Sequence, residues 1–313
     1  MSRQNKVKSL HVVAGVIQRD SGYLLVSRPA GKSRAGMFEF PGGKIEPGET
    51  VQQALSRELE EELGISVQHT HPLISYPFTY PDIDLYMHFV LVSCWSGEIQ
   101  PKEGQQLQWM TYKSAMPDEL CAADVAAFNA LELPSSYCIT GDLTFVELQQ
   151  TCLRWVAEGR SLMQIRSNIT SVELASLLQL IVPKLSQQQH LMVSSRIAYS
   201  GMNPRVGIHL TAADLDFFQR ENKRMYAASC HNYEELLLAQ QRNVNFACLS
   251  AVKKTTSHPE VIPLGWEMFS KNVGQISIPV YALGGVGLDD VNQAQYSGAQ
   301  GIAGISFCMS EVT

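Results

Sequence analysis

The chain has no apolar run approaching the roughly 18 residues of a membrane span, so no membrane partner is expected. Its start, MSRQNKVKSLHVVAG, carries basic residues but no apolar core followed by a small-residue cleavage site, which argues against a signal peptide. Cysteine is scarce and scattered: seven thiols, at 94, 121, 138, 152, 230, 248 and 308, with no C-x-x-C. An odd, dispersed set argues against a disulfide framework and fits reduced thiols in a cytoplasm, mostly as small apolar fillers. Basic residues are outnumbered, 24 Lys+Arg against 30 Asp+Glu, for a net charge of −6. A binder of nucleic acid polymers would need a basic face. A nucleotide enzyme would not, because a bound metal can supply the positive charge. Internal repeats and low-complexity tracts are also lacking. What is present, 45% apolar and 17% charged residues, suits a globular chain, and a length of 313 suits about two domains.

The two halves follow different patterns. Residues 11–18 (HVVAGVIQ) and 23–28 (YLLVSR) read as strands joined by a turn at Asp20-Ser21-Gly22. A glycine-rich loop occupies 41–48, and a helix follows from Thr50 to Leu63, ended by Gly64. Residues 84–95 read as another long strand and 123–133 as a short helix. This predicts an α+β unit over 1–134, a mixed sheet between helices. Pro134-Ser135-Ser136 marks a break. Beyond it, apolar runs at 137–140, 162–165, 191–193, 206–210, 225–228, 244–249, 278–283 and 301–305 alternate with helical stretches such as 144–158, 172–182, 232–241 and 288–295. Eight strands alternating with helices predict a (β/α)₈ barrel over 135–313, with an open doubly wound sheet as the competing topology. Acidity is concentrated in the first half, and much of it lies in one helix.

That helix lies within FPGGKIEPGETVQQALSRELEEELGI, residues 40–65. At about 100° per residue, Glu58, Glu61 and Glu62 fall within an arc of about 100° beside the apolar stripe of Leu55, Leu59 and Leu63, and Glu60 points away. Carboxylates crowded beside a buried face repel one another, and a divalent cation relieves the repulsion. Hard oxygen ligands at i, i+3 and i+4 suit Mg²⁺, with Mn²⁺ as the alternative. A solvated acidic face is the competing reading. Arg57 can pair with Glu61 at i+4.

Gly43, five residues, Glu49, seven residues, then Arg57-Glu58-Leu59-Glu60-Glu61-Glu62-Leu63-Gly64-Ile65 resembles the complete Nudix box. Phe40-Pro41-Gly42-Gly43-Lys44, Glu46, Gly48, Lys102-Glu103-Gly104-Gln105 and Trp109 extend the resemblance, over about 7–133, to the MutT-type 8-oxo-dGTP diphosphatases. The resemblance implies hydrolysis of oxidised purine triphosphates to the monophosphate and pyrophosphate, a nucleotide-pool sanitising role allied to DNA repair. It implies metal ligands at the Gly42 carbonyl, Glu58, Glu61, Glu62 and Glu103, with Glu58 or Glu103 as general base and Arg57 in the catalytic set. It also implies a phosphate contact at Arg28, pocket positions at Glu39, Phe40, Pro41 and Gly42, and a base-reading Asp124. For Arg28 an exposed salt bridge is the rival reading, and for Asp124 a helix N-cap. Ser33 and Ile83 stand where some members carry basic or polar contacts.

The second half resembles the thiamine-phosphate synthase and thiazole tautomerase superfamily, a (β/α)₈ fold. The matching pieces are Tyr137-Cys138-Ile139-Thr140, Gln164-Ile165-Arg166, Gly207-Ile208-His209-Leu210 with Asp214, Ser229-Cys230-His231 and Ala282-Leu283-Gly284-Gly285-Val286. Gly284-Gly285 and Gly304 suggest a backbone cradle for phosphate at the strand ends, with tight βα turns as the competing reading. With Arg166, Asp214, Ser229, His231 and Thr255 they make a candidate site for a small phosphorylated ligand. Against the synthase pattern, Ser195, Asn168 and His258 stand where Asp, Lys and Lys would be, so synthesis is not expected. His231 could serve proton transfer of the tautomerase kind. Two functional alternatives remain: a hydrolase of thiamine-pathway diphosphates, and a barrel acting as tautomerase-like enzyme or ligand sensor.

Overall fold

A computed structural model describes residues 10–19, 22–111, 117–220, 224–255 and 260–309. The chain divides into two compact units, one ending at Glu132 and one beginning at Leu133.

The first unit runs β1 (Leu10–Arg19), β2 (Gly22–Ser27), β3 (Phe38–Glu39), β4 (Gly42–Lys44), α1 (Val51–Leu63), β5 (Ser66–Tyr80), β6 (Ile83–Ser96), β7 (Leu107–Thr111) and α2 (Val125–Leu131). Its sheet has the order β3-β2-β1-β6-β5, with β4 also pairing β1 and β7 pairing β2. β1 and β6 are parallel and the other pairs antiparallel, which makes the sheet mixed. Val13 to Ile17 of β1 are buried on both faces. One face packs Val13, Ile17, Val90 and Val92 against Leu55, Leu59 and Leu63 of α1. The other packs Ala14, Val16, Met87 and Phe89 against Ala127, Phe128 and Ala130 of α2. The helix read at 123–133 is shorter than expected, a 3₁₀ turn over Ala122–Asp124 leading into α2. Asp20 and Ser21 of the expected turn lie outside the described residues, while Arg19 pairs Gly22 across it.

β5 has no counterpart in the sequence reading. Its SVQHTHPLISYPFTY holds two prolines, which normally argue against a strand. The structure accommodates them because β5 is an edge strand with register irregularities at Val67/His69 and Pro72/Ile74.

The second unit closes eight parallel strands into a barrel and excludes the open sheet. They are β8 (Ser136–Ile139), β9 (Leu162–Ile165), β10 (His190–Ser194), β11 (Val206–Leu210), β12 (Tyr226–Cys230), β13 (Phe246–Ser250), β14 (Val280–Leu283) and β15 (Gly301–Gly304). Each falls on one of the eight apolar runs. The helices are α3 (Phe145–Ala157), α4 (Ser171–Ile181), α5 (Tyr233–Gln241), α6 (Gly265–Val273), α7 (Val291–Tyr296) and α8 (Ser306–Met309). Thr144 and Thr170 start α3 and α4 with reciprocal caps to Glu147 and Glu173. Tyr137, Phe246 and Tyr281 fill the barrel interior with ring centroids 5.4–5.8 Å apart.

Candidate functional site

In the first unit a cavity of about 590 Å³ opens beside α1 and β4. The helix is set in place at both ends. Thr50 accepts from Gln53 N while the Gln53 side chain accepts from Thr50 N, and Gly64, at φ 73°, ends the last turn. With Leu55, Leu59 and Leu63 buried, Glu58 and Glu62 face the cavity. Glu62 Oε2 accepts from Gly42 N at 3.0 Å. A Cβ on Gly43 would come within 2.4 Å of the Glu58 carboxylate, so a side chain there would push that carboxylate aside. Burial pushes Glu62 up to about 8; the Gly42 N–H opposes the rise, and the neighbouring Glu39, Glu103 and Glu58 add to it.

Arg57 lies outside the cavity lining and works from behind. Its guanidinium forks onto Glu49 at 2.8 and 2.9 Å, reaches Glu58 Oε1 at 2.8 Å and stands 3.6 Å from Glu61. The fork holds the Glu49 carboxyl down to about 2. Glu61 does not line the cavity, and its side chain is 59% exposed against 15% for Glu58. The arc drawn from helix geometry therefore gathers two of its three carboxylates in the cavity. The loop after β6 adds Glu103, and Gln105 links that loop to α1 by accepting from Glu103 N and donating to the Glu62 carbonyl, at 2.8 and 2.9 Å. Among the described residues, no three carboxylate, histidine or cysteine side chains are drawn together tightly enough to ligate an ion. The donor chemistry nonetheless fits a hard divalent cation: several carboxylates share one chamber, one of them, Glu62, is raised by burial and by its acidic neighbours, and bare glycine backbone lies against another.

Elsewhere in the same cavity Arg28 pairs with Glu39, which burial raises despite that partner. Phe40 is buried, and its N–H donates to Asp124 Oδ1 at 3.0 Å. The Pro41 carbonyl accepts from Gly15 N, which ties the loop to β1. Asp124 occupies the N-cap position of α2 yet makes no side-chain cap bond. Its side chain is turned to Phe40 and the cavity instead, which answers the helix-cap reading. Burial raises its pKa well above its ordinary value, Glu39 adds to that, and the Phe40 N–H and Arg28 oppose it.

Lys32, Arg34, Tyr80, Asp82 and Cys121 also line this cavity and were not singled out from the sequence. The available signal was a basic pair between glycines, G-K-S-R-A-G, separated from Arg28 by two residues. Ser33 and Ile83 line it too.

The barrel has its own cavity, about 630 Å³, at the C-terminal strand ends. Arg166, Ser229, His231, Thr255 and Gly284 line it, as do Asn168, Arg196 and His209. Asp214, Gly285 and Gly304 do not. Asp214 Oδ2 is engaged internally, accepting from Ser195 Oγ, Thr211 N and Thr211 Oγ1, all at 2.7 Å. Burial would raise that carboxyl, but these bonds outweigh it and bring it below its ordinary value. Gly285 and Gly304 shape turns: a Cβ there would come within 2.3 Å of the Lys254 carbonyl and 2.8 Å of the Phe307 ring. His231 Nδ1 lies 2.9 Å from Glu235. Beyond Thr255, the residues Thr256, Ser257 and His258, the last of which stands where the synthase pattern has Lys, lie outside the described residues.

His209 was quoted only as part of a motif, and the structure gives it a distinct place. It is buried, with Nδ1 3.0 Å from Tyr137 Oη and Nε2 2.9 Å from Ser229 Oγ. Burial, helped by Arg166, drops its pKa to about 3. The fold thus favours the neutral ring, and stability is lost as pH falls below the unfolded value near 6.5, until the folded value is reached. Between pH 7 and 5 this histidine should cost about 2 kcal/mol. His88 and His190 shift the same way, so the contribution is read by difference. Urea titrations of the wild type should show this loss, and His209→Gln should lack about that much of it. Parallel pH profiles would contradict the assignment.

Comparison with known proteins assigns each half of the chain to a family. The NUDIX domain model matches residues 9–130, and the Thiamine monophosphate synthase model matches 136–307. The 8-oxo-dGTP diphosphatase of Escherichia coli (strain K12) is 38% identical over 119 residues, 38% of this chain and 92% of that protein. The CTP pyrophosphohydrolase of the same organism is 38% identical over 124 residues, 40% of this chain and 92% of that protein. The "Putative thiamine-phosphate synthase 2" of Aquifex aeolicus (strain VF5) is 29% identical over 182 residues, 56% of this chain and 98% of that protein.

Proposed function

The chain belongs to two families at once, NUDIX over residues 9–130 and thiamine monophosphate synthase over residues 136–307, and from that premise we propose what each half acts on. The first half is a pyrophosphohydrolase, and its substrate in our reading is an oxidised purine nucleoside triphosphate of the 8-oxo-dGTP type. One observation carries this. A single cavity is lined both by Glu58, Glu62 and Glu103 and by the buried Asp124. A phosphate-handling group of carboxylates and a base-reading acid share one chamber of nucleotide size.

Nudix hydrolases are generally dependent on a divalent metal, and Mg²⁺, when bound, supplies neutralisation of charge on the phosphate oxygens. Glu58, Glu62, Glu103 and the Gly42 carbonyl would hold it, with Glu61 joining only if its side chain turns inward. Glu58, steadied by Arg57, takes a proton from the attacking water, a task for which Glu103 is the rival. Arg28 positions phosphate. Full-length protein with Mg²⁺ and 8-oxo-dGTP should release the monophosphate and pyrophosphate. Release of orthophosphate and a nucleoside diphosphate would contradict the reading. Fusion to a thiamine monophosphate synthase domain favours a second reading, hydrolysis of thiamine-pathway diphosphates.

The barrel, in our reading, binds a small phosphorylated ligand without making thiamine phosphate. Backbone amides near Gly284 need no particular side chain to hold phosphate. Pyrophosphate departure does need charge neutralisation. Here Asp214 is occupied by Ser195 and Thr211, and Asn168 donates to Asp142 at 3.2 Å. Full-length Glu62→Gln, used to silence the hydrolase, should turn over both thiamine precursors well below about 1 s⁻¹. Turnover at that rate or above would make the protein a true synthase.

A further inference from the structure

Between β2 and β3 the segment from Arg28 to Met37 carries three cations along the rim of the nucleotide cavity: Arg28, Lys32 and Arg34. They are held very differently. Arg28 pairs with Glu39 and donates from Nε to the Ser33 carbonyl at 2.6 Å. Arg34 lies 3.6 Å over the Tyr80 ring, bonds Asp82 at 2.7 Å and Ser33 Oγ at 2.9 Å, and is 22% exposed. Its backbone sits at φ 60°, a conformation a non-glycine residue keeps only where its surroundings fix it. Arg34 thus anchors the segment at its Tyr80 side.

Among the described residues the Lys32 side chain pairs with Glu103 Oε2 at 2.6 Å, and the two side chains are 51% and 39% exposed. An ion pair that open to water is weak and readily exchanged. The lysine stem is flexible, and its charge acts as a point donor that suits phosphate. Gly31, at φ 89°, has nothing within 4 Å of where a Cβ would stand, so there is open space beside Lys32. Glu103, Glu58 and Glu62 line the same cavity, so the cation is already at its phosphate-handling end.

We propose that Lys32 is a further substrate-binding residue, which leaves Glu103 for a non-bridging phosphate oxygen of the substrate and thereby uncovers the Glu103 carboxylate. A phosphate group carries more charge than a single carboxylate, so the exchange favours the bound state, and one movement both grips the substrate and frees an acid for the reaction. This rests on the hydrolase reading of the cavity, so binding is measured separately from turnover.

The experiment compares full-length Lys32→Met and Lys32→Arg with wild type, by steady-state hydrolysis of 8-oxo-dGTP and by calorimetric binding of inorganic pyrophosphate with Mg²⁺. Lys32→Met should raise KM and weaken pyrophosphate binding by about tenfold or more, the size of one lost charge-assisted bond, with kcat within about twofold. Lys32→Arg should recover most of both. A merely structural ion pair predicts instead unchanged pyrophosphate affinity, or a fall in kcat with KM unchanged, and either result overturns the proposal. If the wild type cleaves no nucleotide while pyrophosphate affinity still depends on Lys32, the hydrolase reading fails and the phosphate contact stands. If it cleaves 8-oxo-dGTP with neither KM nor affinity dependent on Lys32, only the Lys32 proposal fails.

Discussion

Glu62→Gln should lower kcat for 8-oxo-dGTP by about 10³-fold, equivalent to about 4 kcal/mol of transition-state stabilisation, while leaving the fold intact. The carboxylate is buried, raised to about 8, and surrounded by Glu39, Glu58 and Glu103. An acid in that position contributes little to stability without a cation, because burial and like charges both oppose its ionised form. Glutamine keeps an oxygen for the Gly42 N–H and removes the charge. Its Tm without metal should therefore equal or exceed that of the wild type. Glu61→Gln is the internal comparison. Its carboxylate is exposed and faces Arg57 rather than the cavity, so its loss should be smaller, within about tenfold. Equal losses at both positions would mean that the C-terminal turn of α1 rearranges to bring Glu61 inward. Near-normal turnover of Glu62→Gln at saturating Mg²⁺ would remove Glu62 from the catalytic set.

Asp124→Ala should lower kcat/KM for an oxidised purine triphosphate by at least about 10³-fold and for CTP by less than about tenfold. A site built to hydrogen-bond a base edge rejects substrates that leave its polar groups unpaired. Burial raises the Asp124 carboxyl well above its ordinary value and so favours the form that offers an O–H as well as an acceptor oxygen. An 8-oxopurine presents a matching edge, because oxidation puts an N–H at N7 beside the C6 carbonyl, whereas ordinary guanine has a bare N7. Asp124→Asn has the same donor and acceptor and preserves the acceptor for Phe40 N, so it should retain most of the activity. A similar loss from Asp124→Ala on purine and pyrimidine substrates would indicate that the side chain only supports Phe40.

How much of this the sequence reveals depends on the range of the interaction. α1 is legible because its signals are local: a cap at Thr50, a leucine stripe and a terminal glycine. The barrel strands are legible because parallel strands covered on both faces are uninterrupted apolar runs. β5 is hidden because its two prolines are tolerated only through its edge position and irregular register, and neither is a property of the segment itself. The cavity end of α1 is half legible. Angular position correctly brings Glu58 and Glu62 inward, but the Arg57–Glu49 fork joins the helix to the residue before its N-cap and holds the guanidinium beside Glu58 and Glu61. Asp124 does stand at a helix start, and local reasoning made the cap a fair rival. The partner that turns it, Phe40 N, is 84 residues away. In the barrel the missing acid and lysines were visible as substitutions, whereas the engagement of Asp214 by Ser195 required coordinates. Lys32 and Arg34 were visible as residues but not as a rim, because their partners Glu103, Tyr80 and Asp82 come from other loops.

The central claim is that the first unit selects an oxidised purine triphosphate. The most direct measurement is a competition in one vessel: full-length protein, Mg²⁺, and equimolar 8-oxo-dGTP, dGTP, CTP and a thiamine-pathway pyrimidine diphosphate, followed by chromatography of each substrate over time. The ratio of kcat/KM values is read directly from the relative depletion rates. The account predicts that 8-oxo-dGTP disappears first, at least about a hundredfold faster than CTP, with pyrophosphate accumulating in step. Faster depletion of CTP or of the pyrimidine diphosphate would contradict it.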